Sequence, residues 1–128
     1  MKILIVEDDE AIAQSLASLL EDEGYRAIHV PDGRSALAEL RSGEKPGVIL
    51  LDLNMPGMNG WQFREEQVKD EELASIPIIV CTADSRAADE AKKIGAAGWL
   101  RKPVDPARLL EAVGEHGRGL KQQAVGPG

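Results

Sequence analysis

A chain of 128 residues with 43% apolar and 29% charged side chains can bury one core, which excludes a disordered segment. Its net charge of −7 is uneven, −10 over residues 1–85 (17 acidic, 7 basic) and +3 over residues 86–128 (5 acidic, 8 basic), and so acidic a body argues against nucleic-acid binding through phosphate contacts. No apolar run approaches the roughly 20 residues that cross a bilayer, and the amino terminus lacks the long apolar stretch of a signal peptide, so the expectation is a cytoplasmic protein without a membrane partner.

In chain order the sequence predicts five repeats of strand then helix. Residues 2–6 form an apolar run that ends in acids. Over 10–23, Ile12, Leu16, Leu19 and Leu20 recur at helical spacing, with Gly24 as a stop. A short strand follows at 26–30. Asp32 can then cap a helix carrying Ala36, Leu37 and Leu40, closed near Gly43. Residues 48–51 and 77–81 are apolar throughout, as strands buried on both faces must be. A helix is expected at 59–70 between them, with a polar stretch after it. A fourth helix at 85–94 and a fifth strand at 98–101 come next. Asp105 caps the last helix, which places Pro106 first and Leu109, Leu110 and Val113 on one face. Residues 118–128 lose this periodicity and read as a flexible tail after a single domain at 1–117.

Strands joined by helices pair in parallel, with helices on both sheet faces. The expectation is an α/β doubly wound, five-stranded sheet whose site lies beyond the carboxyl ends of the strands. Chemistry-bearing residues fall there. The first strand runs into Glu7 and Asp8, the third ends in Asp52, the fourth in Thr82, and the fifth runs into Lys102 and Pro103. Two like charges at ~4 Å repel by about 4 kcal/mol at an effective dielectric of ~20, so three bare carboxylates need an offset. A hard divalent cation, a protonated carboxyl or Lys102 would each supply one. Mg²⁺ suits the set because it takes one or two carboxylates, keeps waters and leaves room for phosphate oxygens. Cys81 lies inside an apolar run and reads as a buried small hydrophobe; His29 and His116 lack metal-ligand spacing.

The stretches ILIVEDDE at 3–10, VILLDLNMPGMNG at 48–60, CTA at 81–83 and KP at 102–103 resemble the receiver domains of two-component response regulators, including the stand-alone chemotaxis type. The likeness covers about residues 2–116. It implies a flavodoxin-like strand order 2-1-3-4-5. It also implies that Asp52 accepts a phosphoryl group from the phosphohistidine of a sensor histidine kinase or phosphotransfer protein. Asp8 would bind Mg²⁺ directly, Glu7 through water, and Asn54 by its backbone carbonyl, with Asp52 completing the set. Lys102 would pair with a phosphoryl oxygen, and its bond to Pro103 would be cis. Thr82 can hydrogen-bond the phosphoryl group and be drawn toward it, after which the fifth-strand aromatic, Trp99 here, would rotate. The expected output face is the fourth helix, fifth strand and fifth helix, which would act on a downstream protein as a monomer or a phosphorylation-dependent dimer. Loss of the phosphoryl group would be the domain's own reaction.

Other classes fit less well. An aspartyl phosphatase of the haloacid dehalogenase type needs a second acid two residues on, where this chain has Asn54. A nucleotide or flavin site needs a glycine-rich loop after the first strand, and the turn there is acidic. A phosphorylation-independent interaction module and a receiver fragment of a larger regulator stay open as alternatives.

Overall fold

The computed structural model describes residues 1–55 and 57–117, so the expected tail and Pro56 lie outside the described residues. Its elements are β1 (Lys2–Val6), α1 (Glu10–Asp22), β2 (Arg26–Val30), α2 (Gly33–Ser42), β3 (Val48–Asp52), α3 (Gly60–Lys69), β4 (Ile78–Thr82), α4 (Ala87–Ile94), β5 (Gly98–Arg101) and α5 (Pro106–His116). The strands form one parallel sheet in the order β2-β1-β3-β4-β5. Strands β1, β3 and β4 are buried along their whole length, which explains their unbroken apolar text.

Two cores form, one on each face. Leu4, Val6, Ile49, Leu51, Ile78 and Val80 point toward α2, α3 and α4, where they meet Leu37, Leu40, Phe63 and Ala91. Ile3, Ile5, Leu50 and Ile79 point the other way, onto Leu16 and Leu20 of α1 and Leu109 and Val113 of α5. Alternation along each strand thus divides the helices between the faces.

Local chemistry sets the helix starts. Asp9, Asp32 and Asp105 each accept a backbone N–H three residues on, from Ile12, Ser35 and Arg108. Asn59 and Gln62 form a reciprocal capping box at 2.9 Å in both directions. Helix α4 begins two residues later than its sequence suggests. Asp84 Oδ1 accepts the Arg86 N–H at 2.8 Å, and this local turn holds 84–86 outside the helix.

The polar stretch after α3 is tied down from within. Gln67 is fully buried, and its Nε2 donates to the carbonyls of Leu73 at 2.8 Å and Ile76 at 3.2 Å. Removing that amide strands two buried acceptors. Gln67→Met should therefore cost about 2 kcal/mol, read as a lower urea midpoint at unchanged slope, whereas a change below about 0.5 kcal/mol would mean the amide is dispensable.

Candidate functional site

β1 is flanked by β2 on one side and β3 on the other, so the connections diverge at its carboxyl end and leave a crevice there. Glu7 and Asp8 follow β1 directly, and Asp52 closes β3. One carboxylate oxygen from each of these three residues lies within 4.8 Å of the other two. Glu7 and Asp52 are buried and Asp8 is exposed, so the cluster opens to solvent on one side. Three hard oxygen donors at this spacing fit a divalent cation such as Mg²⁺. Asp9, next in sequence, instead faces away to cap α1.

Lys102 reaches this cluster from beyond β5. Its Nζ donates to Glu7 Oε1 at 2.6 Å and lies 3.6 Å from Asp52 Oδ2. The peptide bond to Pro103 is cis. The Lys102 N–H also bonds to the Thr82 carbonyl at 2.9 Å, which fixes β5 against β4 at the rim. Thr82 is buried, and its Oγ1 accepts the Asp84 N–H at 3.2 Å. The hydroxyl proton is left to be donated elsewhere. Asp52 Oδ1 accepts the Asn54 N–H at 3.1 Å, which holds the carboxylate plane.

Gly60 closes the loop beyond Asp52. A Cβ there would stand 2.8 Å from Leu53 Cα and 3.0 Å from the Asp52 carbonyl oxygen, so only glycine lets α3 start this near the site. Gly57, at φ 74°, supplies the left-handed residue that the turn requires.

Burial is the main cause that lifts the Asp52 carboxyl, to about 7, with the Glu7 carboxyl adding to it while the Asn54 N–H and Lys102 oppose. Burial works against the charge of Lys102 as well, yet Glu7 and Asp52 outweigh it and hold its pKa above the ordinary lysine value. Burial also pushes the Cys81 thiol up to about 12, which fits the inert reading of that residue.

Some partners were not legible in the text. Glu7 is the nearest partner of Lys102, a contact between residues 95 apart in sequence. His29, on β2, donates from Nε2 to the Glu7 carbonyl at 2.8 Å and so steadies the start of the acidic turn. Trp99 is 43% exposed and lines a surface cavity with Arg101 and Arg108.

The response regulator receiver domain model matches residues 3–114. The protein PilH of Pseudomonas aeruginosa is 37% identical over 88% of this chain and 93% of its own length. The polar-differentiation response regulator DivK of Brucella anthropi is 31% identical over 87% and 91%. Among solved structures, the chemotaxis protein CheY4 of Vibrio cholerae superposes with a TM-score of 0.81 at 34% identity, covering 90% of this chain and 97% of that one.

The carboxyl of Asp52 binds its proton more tightly in the folded chain, at about 7, than at the unfolded value of 3.8. Stability contributed by that proton is complete below the lower value and is lost as pH rises through the upper one. Without divalent metal, the protein should lose about 1–2 kcal/mol between pH 5 and pH 8, less than the full shift would give because the cluster meets solvent at Asp8. Asp52→Asn should flatten the slope, and Mg²⁺ should restore stability at pH 8. Denaturant titrations at both pH values check this, and a slope equal in both proteins would contradict it.

Proposed function

We propose, from the premise that this chain belongs to the response regulator receiver domains, that it is a phosphorylation-dependent signalling switch with Asp52 as phosphoacceptor. The observation that carries this reading is the meeting of Glu7, Asp8 and Asp52 within 4.8 Å, with Lys102 Nζ 3.6 Å from Asp52. Asp8 and Asp52, the Asn54 carbonyl, and Glu7 through water would hold Mg²⁺. That ion, when bound, supplies positive charge to the phosphoryl oxygens.

Asp52 offers a carboxylate whose plane is fixed by the Asn54 N–H, so one oxygen faces an incoming phosphohistidine of a histidine kinase or phosphotransfer protein. Transfer forms a P–O bond at Asp52 and releases the donor imidazole. Lys102 then has a new anionic partner and moves from Glu7 toward a phosphoryl oxygen. Thr82 donates its free hydroxyl proton to another oxygen, which draws it toward Asp52. Because the Asp84 N–H is bonded to that hydroxyl, the turn before α4 follows.

The face formed by α4, β5 and α5, with Trp99 of β5 exposed, thereby controls binding of a downstream protein. Water later removes the phosphoryl group within the same site, so the chain acts on itself alone. Residues 1–117 form the receiver domain and 118–128 a tail. The chain works in the cytoplasm as a monomer or a phosphorylation-dependent dimer; no helix among the described residues is long and apolar enough to cross a membrane.

With acetyl phosphate and Mg²⁺, intact mass should rise by about 80 Da, the mass of one added HPO₃ group. Chelator or Asp52→Asn should abolish the adduct, and Lys102→Met should slow its formation by about a hundredfold. An adduct that persists in Asp52→Asn, or a wild type that binds neither phosphoryl nor beryllofluoride, would refute the assignment.

A further inference from the structure

The two ends of α4 are held by different means. At the carboxyl end, Gly95 takes the left-handed conformation and returns its N–H to the carbonyls of Ala91 and Lys92. Ala96 bonds to the Ala91 carbonyl as well, at 2.9 Å. Arg64, half-buried on α3, then caps the turn. Its Nε donates to the Ile94 carbonyl at 2.8 Å and its Nη2 to the Gly95 carbonyl at 3.2 Å. A cation at a helix carboxyl end also meets the favourable end of the dipole.

The remaining arm of the guanidinium leads back into the core. Arg64 Nη1 donates to Gln67 Oε1 at 2.9 Å, and Gln67 in turn holds the carbonyls of Leu73 and Ile76. One side chain therefore ties the end of α4, through α3, to the segment that feeds β4. Burial lowers the Arg64 pKa from the ordinary arginine value, which agrees with a guanidinium withdrawn from water.

Among the described residues, the amino end has no such tie. Its N-cap, Arg86, makes no side-chain capping bond. Asp84 accepts from the Arg86 N–H and Nε, but these contacts span two residues and lie exposed, so they shape the turn without fastening it to the body. Ala87 packs inward there, a side chain with little surface to grip. Among the described residues, the polar link from this turn to the sheet is the Asp84 N–H on Thr82 Oγ1, a residue of the candidate site itself.

We propose that Arg64 is a positioning residue that pins the carboxyl end of α4 as a pivot, so that displacement of Thr82 swings the amino end while residues 92–96 stay in place. The trigger rests on the phosphoacceptor reading above; the pin does not. A helix of 8 residues is about 12 Å long, so a tilt of about 15° at the pivot moves the free end by about 3 Å. The output face then opens next to Asp84 and Arg86, at the end nearest the site.

Amide exchange by mass spectrometry tests this on the full chain, wild type, Arg64→Met and Arg64→Lys, with and without Mg²⁺ and beryllofluoride. Without ligand, Arg64→Met should exchange about tenfold faster at 92–96 and unchanged at 84–90, with Arg64→Lys in between because it keeps the charge but not the fork. With ligand, wild type should change at 84–90 alone, and Arg64→Met at both ends. Equal changes at both ends of wild type, or an Arg64→Met pattern identical to wild type, would overturn the pivot. Fluorine NMR reports beryllofluoride binding separately. Its absence would count against the phosphoacceptor reading, and the comparison without ligand would still decide whether Arg64 pins the helix.

Discussion

The repulsion among Glu7, Asp8 and Asp52 is the constraint on which the rest depends. Backbone geometry forces it: β1 and β3 are neighbours in register, with Val6 opposite Leu51, so the residues that follow emerge side by side. Two of these carboxylates are buried, and the ammonium of Lys102 is the counter-charge that the fold brings to them. Lys102 satisfies Glu7 at 2.6 Å and leaves Asp52 at 3.6 Å, so Asp52 is the less compensated of the two. A group in that condition gains from a cation and, with the cation, from an electrophile that converts its charge into a bond. The proposed metal binding and phosphoryl transfer would thus share one electrostatic source.

The same edge of the sheet joins chemistry to shape. Thr82 ends β4 beside Asp52, and its hydroxyl carries the turn that begins α4. Two polar residues of α3, half-buried Arg64 and buried Gln67, stiffen the far end of that helix and the segment after α3. A rigid end and a loose end on one short helix make a lever, and the loose end is the one in contact with the site. Trp99 lines a surface cavity with Arg101, Asp105 and Arg108, and residues 86–128 carry a sequence charge of +3 against −10 for residues 1–85, so the face proposed for output belongs to the basic third of an otherwise acidic chain.

Much of this was legible as text because local rules carried it. Unbroken apolar runs marked β1, β3 and β4, and the capping residues Asp32 and Asp105 marked two helix starts. Acids, a threonine and a lysine fell at strand ends because a parallel sheet exposes those ends together. Interactions spanning long sequence distances stayed hidden. Strand ends place Lys102 among the carboxylates but do not say that Glu7 will be its nearest partner, and nothing in α3 says that Gln67 and Arg64 will reach the segment before β4 and the end of α4. Those contacts depend on packing between helices and strands that periodicity alone cannot register. The late start of α4 was missed for a local reason: the Asp84 side chain competed with the helix for the Arg86 N–H.

The most direct test of this electrostatic account is the carboxyl ¹³C titration of Asp52, assigned against Asp52→Asn, with and without saturating Mg²⁺. A metal-free inflection near 7 that falls below about 5 when Mg²⁺ binds is the predicted result. An inflection near the ordinary value of about 4, unmoved by Mg²⁺, would mean that the carboxylates are already well compensated, and the account would be wrong.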